Sequence, residues 1–288
     1  MADRPRPRGD LTHLVADTRL VPVPGGAVEV EVRGDGEPVV LIQTALVADE
    51  LRPLGDLLLR DGDRQVIGYH RRGYGRSTPT RGPGSITSDA LDCHQLLHEL
   101  GIDRVQVIGV SYGAAVALQL AAIVPDCVHS LCVIEPPPRD VPSAPGFLAA
   151  NAELQADHQR YGTAIALERF MVRLEGPRWR HDLEQHLPGA LAQVERDAAT
   201  FFVSDSPALV TWRFGAADAA RITQPVLYVG GAESGPWFTE MRERLLAWLP
   251  QADDLVVEGA DHSLVLTHVE EIAPAVQSFL HRHPIVRR

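Results

Sequence analysis

Lysine is absent from this chain of 288 residues, so arginine alone supplies its 27 basic side chains. Aspartate and glutamate number 38, which gives a formal net charge of −11 at pH 7. A chain this acidic lacks the positive surface that attracts phosphate groups, so we expect neither nucleic acid nor an anionic membrane as a partner.

Cysteine and long apolar runs are also scarce. The three cysteines, Cys93, Cys127 and Cys132, do not show the spacing of a disulfide framework, which favours a reducing compartment. No uninterrupted apolar run approaches the roughly 20 residues that a membrane helix needs, and the charged, proline-rich start has no apolar core of a signal peptide. We therefore expect a cytoplasmic protein; its oligomeric state is left open, with a homodimer as one option.

Hydrophobic residues are plentiful at 45% and suffice for a substantial core. Alternating apolar residues with glycine-rich turns predict an antiparallel hairpin near the start, and strands that alternate with helices then predict a mostly parallel, doubly wound sheet. The order breaks after Glu135, where a proline-rich stretch precedes a mostly helical pattern. We expect a disordered arm (1–10), a core in two parts (11–135 and 223–288) and a helical insertion (136–222).

A serine stands between two glycines in "VIGVSYGAA" (107–115), where a predicted buried strand runs into a helix. So sharp a turn lifts the hydroxyl of Ser111 off the sheet and leaves no room for side chains at Gly109 and Gly113. The N–H groups that begin the helix favour negative charge beside it. The pentapeptide alone fits a turn without chemistry equally well; its place between strand and helix favours a nucleophile.

A serine is a weak nucleophile unless a base takes its proton. Among twelve histidines, His262 stands out because "VVEGADHSL" places it in a turn after the last predicted strand. With "PVVLIQTA" (38–45) and "GYHRRGYGRSTP" (68–79), these features make the chain resemble the α/β-hydrolase fold family over nearly its whole length. The resemblance implies an α/β-hydrolase sheet with a helical cap after the sixth strand, and neither a metal nor a cofactor.

The resemblance further implies a carboxylate that orients His262. Two candidates remain: Glu135 at the end of the sixth strand, and Glu233 in the loop after the seventh. We favour Glu135, because the "PPP" that follows it stiffens the loop. By position, the backbone N–H groups of Tyr112 and Ala45 would form the oxyanion hole.

The family usually has His-Gly where this chain has "QT" after the third strand. The glutamine fits two roles equally well: a polar group on the floor of the pocket, or a structural amide whose hydrogen bonds fix the loop. The arginines of "GYHRRGYGRS" fit an anion site and a solvated face equally well. Four side chains are candidates for binding substrate: Gln43, Thr44, Trp179 and Trp212.

These features predict a serine hydrolase that acts, through an acyl-enzyme, on a small to medium, largely apolar molecule. An ester, a lactone, a thioester or a C–C bond next to a carbonyl would suit such a nucleophile. Two alternatives stay open, because a fold does not fix a function. One is a non-hydrolytic, cyclase-like enzyme of bacterial secondary metabolism, and the other is a ligand-binding receptor with slow turnover.

Overall fold

A computed structural model of the protein describes residues 17–285; the arm predicted at 1–10 lies outside this range. One sheet contains eight strands: β1 (Asp17–Val23), β2 (Gly26–Arg33), β3 (Glu37–Ile42), β4 (Arg64–His70), β5 (Val105–Val110), β6 (Val128–Ile134), β7 (Val226–Gly231) and β8 (Ala252–Val257). Their order across the sheet is β1-β2-β4-β3-β5-β6-β7-β8. The pairs β1–β2 and β2–β4 are antiparallel and the others parallel, which confirms the predicted fold class.

The helices outside the insertion flank this sheet: α1 (Arg52–Leu58), α2 (Ile86–Glu99), α3 (Tyr112–Ile123), α10 (Pro236–Trp248), α11 (Leu264–Thr267) and α12 (Val269–Arg282). Those between β6 and β7 are α4 (Ala144–Tyr161), α5 (Thr163–Glu175), α6 (Trp179–His186), α7 (Ala190–Thr200), α8 (Ser206–Thr211) and α9 (Ala216–Ala219). A π-helical turn, Phe201–Asp205, joins α7 to α8.

The central strands are apolar because helices cover both faces of the sheet. Every residue of β5 is buried. One apolar layer packs beneath α2, α3 and α10, and the other beneath α1, α11 and α12. The parallel register brings the carboxyl ends of β3, β5, β6 and β7 to one edge, which is where ligands bind in open α/β sheets.

The segment between β6 and β7 has an apolar cluster of its own. Trp179 and Phe202 are its largest fully buried side chains, and α5, α6 and α7 supply most of the rest. Leu46, from the loop after β3, also belongs to this cluster, so the segment packs against the edge of the sheet. We call residues 136–222 the helical insertion.

The strands follow the sequence prediction closely, whereas the helices show one difference. The sequence pattern missed α1 and α11, which are too short for a clear helical periodicity. The mostly helical pattern predicted for the insertion corresponds to six helices, of which α7 and α8 are joined by the π-helical turn. In the part of the chain that the structure describes, no helix has the length and hydropathy to cross a membrane.

Candidate active site

Ser111 occupies a strained turn between β5 and α3, with φ 51° and ψ −114°. Its N–H donates to the carbonyl of Ile134, which anchors the turn to β6. A Cβ on Gly109 would lie 2.3 Å from the carbonyl oxygen of Gly113, and a Cβ on Gly113 would lie 2.1 Å from the carbonyl oxygen of Ile42. Only glycine fits at both places, as the predicted turn requires.

Three side chains from three strand ends form a continuous hydrogen-bonded chain. His262 Nε2 lies 3.1 Å from the Oγ of Ser111, and His262 Nδ1 lies 2.6 Å from Oε2 of Glu135. The other oxygen of Glu135 accepts a 2.8 Å bond from the N–H of Gly231, and this glutamate is 1% exposed. By contrast, Glu233 is exposed, and its N–H donates to a loop carbonyl. The structure thus brings the favoured acid, rather than its alternative, to the histidine.

The surroundings of His262 suit a proton acceptor. Burial of the ring opposes its protonation, but the hydrogen bond and negative charge of Glu135 outweigh this and raise the pKa of His262. Because a carboxylate only accepts, the partners assign the Nδ1 proton to the bond with Glu135 and leave Nε2 free to accept from Ser111. Phe238 stacks on the imidazole at a centroid distance of 4.0 Å and restricts its tilt.

The two predicted oxyanion donors lie where the loop after β3 meets the start of α3. Tyr112 is the first residue of α3, so its N–H has no carbonyl partner within the helix. Ala45 lines the cavity that contains Ser111. Leu46 next to it has φ 70°, and its N–H donates a 2.8 Å bond to the hydroxyl of Tyr74. A side chain therefore fixes this loop, which lacks the glycine usual in the family.

Arg71 is a buried junction between the loop, the nucleophile helix and the insertion. Its guanidinium forms a two-pronged ion pair with Asp205, at 2.9 and 3.0 Å, and donates to the carbonyl of Thr44 at 3.1 Å. It also lies 3.9 Å from the ring centre of Tyr112 and bonds to Asp89. With 2% of its surface exposed, Arg71 fits neither the anion site nor the solvated face considered from the sequence.

Of the four candidate substrate-binding residues, only Thr44 lines the cavity. The Oε1 of Gln43 accepts the N–H of Arg71 at 2.7 Å, so this amide ties the loop down. Trp179 is buried inside the insertion and donates to Glu168. Trp212 is buried against the sheet layer, where its indole N–H donates to Gln119. Both tryptophans correct the sequence prediction, because each is used in packing rather than at the cavity.

The cavity has a volume of about 400 Å³ and lies between the sheet edge and the insertion. Ser111 and His262 line its wall. Five aromatic side chains also line the cavity, although nothing in their local sequence pattern separates a cavity wall from a core: Phe147, Phe170, Phe201, Trp237 and Phe238. The lining is mostly apolar.

Two carboxyl groups that the sequence did not indicate lie in the cavity with His262. Glu50, from the loop after β3, and Glu175, at the end of α5, line the cavity together with His262. Glu175 accepts a 2.7 Å bond from the hydroxyl of Ser263. Within residues 17–285, no three His, Cys, Asp or Glu side chains are grouped so as to hold a metal ion.

A model of the alpha/beta hydrolase family matches residues 45–275. Among curated proteins, the chain is 29% identical over 276 residues to polyketide synthase ThaQ of Burkholderia thailandensis; this covers 91% of the chain but only 12% of that much longer protein. It is 27% identical over 223 residues to a poly(3-hydroxyalkanoate) depolymerase of Ectopseudomonas oleovorans, which covers 76% of each. It is also 27% identical over 255 residues to esterase YbfF of Escherichia coli, which covers 85% of this chain and 94% of that one.

Solved structures share the fold at low sequence identity. An enol-lactonase from Burkholderia xenovorans LB400 superposes with a TM-score of 0.77 at 18% identity, over 91% of this chain and 100% of that one. A thermophilic esterase from Thermogutta terrifontis gives a TM-score of 0.76 at 19% identity, over 93% and 100%. At such identities the likeness shows the fold and leaves the substrate open.

Proposed function

The chain belongs to the alpha/beta hydrolase family, and from this membership and the geometry of the site we propose that it is a hydrolase with a serine nucleophile. The observation that carries the proposal is the hydrogen-bonded chain from Ser111 through His262 to Glu135, which opens into an apolar cavity. The esterase, lactonase and depolymerase among the similar proteins support hydrolysis of an ester-like bond.

Acylation begins when the Oγ of Ser111 attacks the carbonyl carbon of the substrate while Nε2 of His262 takes the hydroxyl proton. The carbonyl oxygen becomes an anion, to which the N–H groups of Tyr112 and Ala45 donate. Glu135 stabilises the imidazolium and keeps its tautomer. When the intermediate collapses, the bond to the leaving group breaks, and that group departs with the proton of His262.

Deacylation repeats these steps with water. His262 takes a proton from a water molecule, whose oxygen attacks the acyl carbon, and the proton returns to Ser111 as the acid leaves. The helical insertion would act as a cap that keeps bulk water from the acyl-enzyme. An apolar cavity of about 400 Å³ favours a small to medium, uncharged ester, lactone, thioester or C–C bond next to a carbonyl. The three free cysteines support a cytoplasmic location.

A fluorophosphonate probe tests the nucleophile directly. We expect it to label Ser111, because the histidine beside this hydroxyl activates it, and mass spectrometry of peptides will locate the adduct. Ser111→Ala should abolish labelling and lower kcat on a short p-nitrophenyl ester by roughly three orders of magnitude or more. Ser234→Ala, a serine in the loop after β7, is the matched control and should still be labelled. Labelling that persists in Ser111→Ala would disprove the assignment.

The acid can be tested by the dependence of kcat on pH. His262 must be neutral to accept a proton, so activity falls as the pH drops through its raised pKa. Glu135→Gln removes the charge that raises this pKa, so the acidic limb should move to lower pH while kcat falls by up to about 10⁴-fold. Glu233→Gln is the control and should leave both nearly unchanged. A large loss in the control with little change in Glu135→Gln would reverse the choice of acid.

A second candidate is favoured by the similarity to part of a polyketide synthase. The acyl-enzyme would then be attacked by a hydroxyl or carbon nucleophile of the same polyketide-like substrate, which closes a ring instead of consuming water. Reactions in ¹⁸O-labelled water separate the two, because only hydrolysis places the label in the product acid. The third option, a receptor with slow turnover, predicts labelling of Ser111 without steady-state release of p-nitrophenol.

A further inference from the structure

Glu50 is a buried acidic side chain in the cavity that the proposed reaction does not use. It belongs to the loop that supplies the N–H of Ala45, it is 8% exposed, and it lines the same cavity as Ser111 and His262. In the range 17–285, no arginine or histidine forms an ion pair with its carboxyl, and no side-chain hydrogen bond reaches it; the hydroxyl of Thr44 is a polar neighbour.

The charges that face Glu50 come from three other elements. Glu175 at the end of α5 and Glu135 at the end of β6 carry negative charge, which His262, after β8, opposes. Burial is the main influence and raises the pKa of Glu50 to about 8; the two glutamates add to the rise, while His262 and the hydroxyl of Thr44 reduce it. At neutral pH most of this carboxyl is therefore protonated.

A protonated carboxyl has an O–H that must find an acceptor, because a buried donor without a partner is costly. The cavity around Glu50 is mostly apolar, and the carboxylates nearest to it are engaged elsewhere. Glu135 binds His262, and Glu175 accepts from Ser263. When substrate displaces water from the cavity, the substrate itself has to supply the acceptor.

We propose that Glu50 is a substrate-binding residue, which donates a hydrogen bond as a neutral acid to an uncharged oxygen of the substrate other than the reacting carbonyl. The inference rests on the proposed function. It narrows the substrate class to uncharged acyl compounds with a second oxygen, such as a hydroxyl, ketone or ether, near the reacting bond. A purely aliphatic ester of the same size would leave the O–H of Glu50 without a partner and would be a poorer substrate.

Matched ester pairs test this inference and show on which side of the reacting bond the oxygen lies. The first pair is p-nitrophenyl 3-hydroxybutyrate against p-nitrophenyl butyrate, with the oxygen in the acyl group. The second is 2-methoxyethyl butyrate against butyl butyrate, with the oxygen in the alcohol. We expect the wild type to prefer the oxygenated member of one pair, by the ratio of kcat/KM at pH 7.

Glu50→Leu should lower kcat/KM about five- to tenfold on the preferred ester, as expected for loss of one neutral hydrogen bond, and less than twofold on its aliphatic partner. Glu50→Gln keeps an N–H donor and should retain the preference. Asp49→Asn is the matched control, because that neighbouring carboxylate bonds to His70 and lies outside this cavity. Equal changes on both members of each pair would overturn the proposal, since they would show a general effect through His262.

The alkaline pH range gives a second readout. Above a pH of about 8 the wild type should lose its preference for an ether oxygen, which only accepts, as Glu50 ionises, whereas Glu50→Gln should keep it. The ether is 2-methoxyethyl butyrate or, if the first pair is preferred, p-nitrophenyl 3-methoxybutyrate in place of the hydroxy ester. If no ester is turned over, the proposed hydrolysis fails, but the inference can still be tested by calorimetry in the Ser111→Ala background. There, adding Glu50→Leu should weaken binding of the oxygenated ester five- to tenfold and leave its partner unchanged. Equal weakening of both would refute the role of Glu50.

Discussion

The sheet and the helical insertion are held together in different ways. The sheet has two apolar layers, a ladder of backbone hydrogen bonds, and glycines whose Cβ would strike backbone atoms. The insertion has one smaller cluster and solvent-exposed ion pairs, and among residues 17–285 it carries five of the seven large apolar side chains that are exposed. In the proposed function, Ser111, His262 and Glu135 therefore lie on the tightly packed region, whereas the looser one supplies most of the cavity wall.

Polar contacts join the two regions beside the loop after β3, in addition to the apolar packing of Leu46 and Trp212. Arg71 from the sheet edge pairs with Asp205, which lies in the π-helical turn of the insertion. Gln193 of α7 accepts from the N–H of Ala48 and donates to the carbonyl of Leu46, each at 3.0 Å. Gln193 directly, and Asp205 through Arg71, thus hold the loop for which we propose an oxyanion donor, so we expect the insertion to influence catalysis through it.

The largest effect is expected within the sheet region, from Gly113→Ala. The new methyl group would lie 2.1 Å from the carbonyl oxygen of Ile42, and neither α3 nor β3 can move without disrupting buried strands. We expect a loss of more than about 4 kcal/mol in the free energy of unfolding, at the upper end for single substitutions, together with loss of probe labelling at Ser111. Urea denaturation measures the first quantity.

Gly146→Ala provides the contrast within the insertion. Its Cβ would make only an ordinary 3.6 Å contact with Trp237, and a helical position favours alanine by about 0.5–1 kcal/mol. The insertion variant should therefore be neutral or slightly stabilised. If both substitutions cost the same, the two regions would not differ in packing as described.

The next largest effect is expected where the regions join, from Asp205→Asn. This change leaves the guanidinium of Arg71 buried with only Asp89 as a charged partner, so we expect a cost of about 3 kcal/mol in unfolding free energy. It should also lower kcat, because Arg71 holds the carbonyl of Thr44 beside the oxyanion loop. Urea denaturation and ester kinetics measure the two effects.

Glu153→Gln is the control for that prediction. It breaks an ion pair with Arg173 that is largely exposed, and such pairs contribute less than about 1 kcal/mol. Its unfolding free energy and kcat should both stay close to the wild type. A comparable loss in the two variants would show that the buried pair has no special role in joining the regions.

The same contrast explains what the sequence could predict. Strands such as β5 are apolar throughout, and the glycines around Ser111 have a local steric reason, so both could be recognised without a structure. The place of Glu135 followed from the strand before it and the prolines after it. These features depend on neighbours along the chain, which a sequence displays directly.

The remaining features depend on residues that are distant in sequence. Arg71 looks solvent-exposed until Asp205, 134 residues later, is placed beside it. No residue close to Glu50 in the sequence indicates that its side chain is buried. Its burial depends on the insertion, which follows much later in the chain and covers the loop after β3. Aromatic residues of the insertion have the same spacing whether they face a cavity or a core. The sequence therefore predicted Trp179 at the cavity, whereas the structure buries it in the apolar cluster of the insertion.

Apart from the two control variants, the smallest effect is expected from Gly176→Ala, which tests whether the insertion opens separately from the sheet. Gly176 ends α5 with φ 86° and ψ 177°, a conformation that only glycine adopts easily, yet its Cβ would meet no atom within 4 Å. The cost is therefore backbone strain alone, about 1–2 kcal/mol. If the insertion is an independent unit, hydrogen exchange in α5 and α6 should become about 5- to 30-fold faster, while amides of β5 keep their wild-type rates. Equal acceleration in β5 would show that the two regions open together, and the insertion could then not act as a cap that moves relative to the sheet.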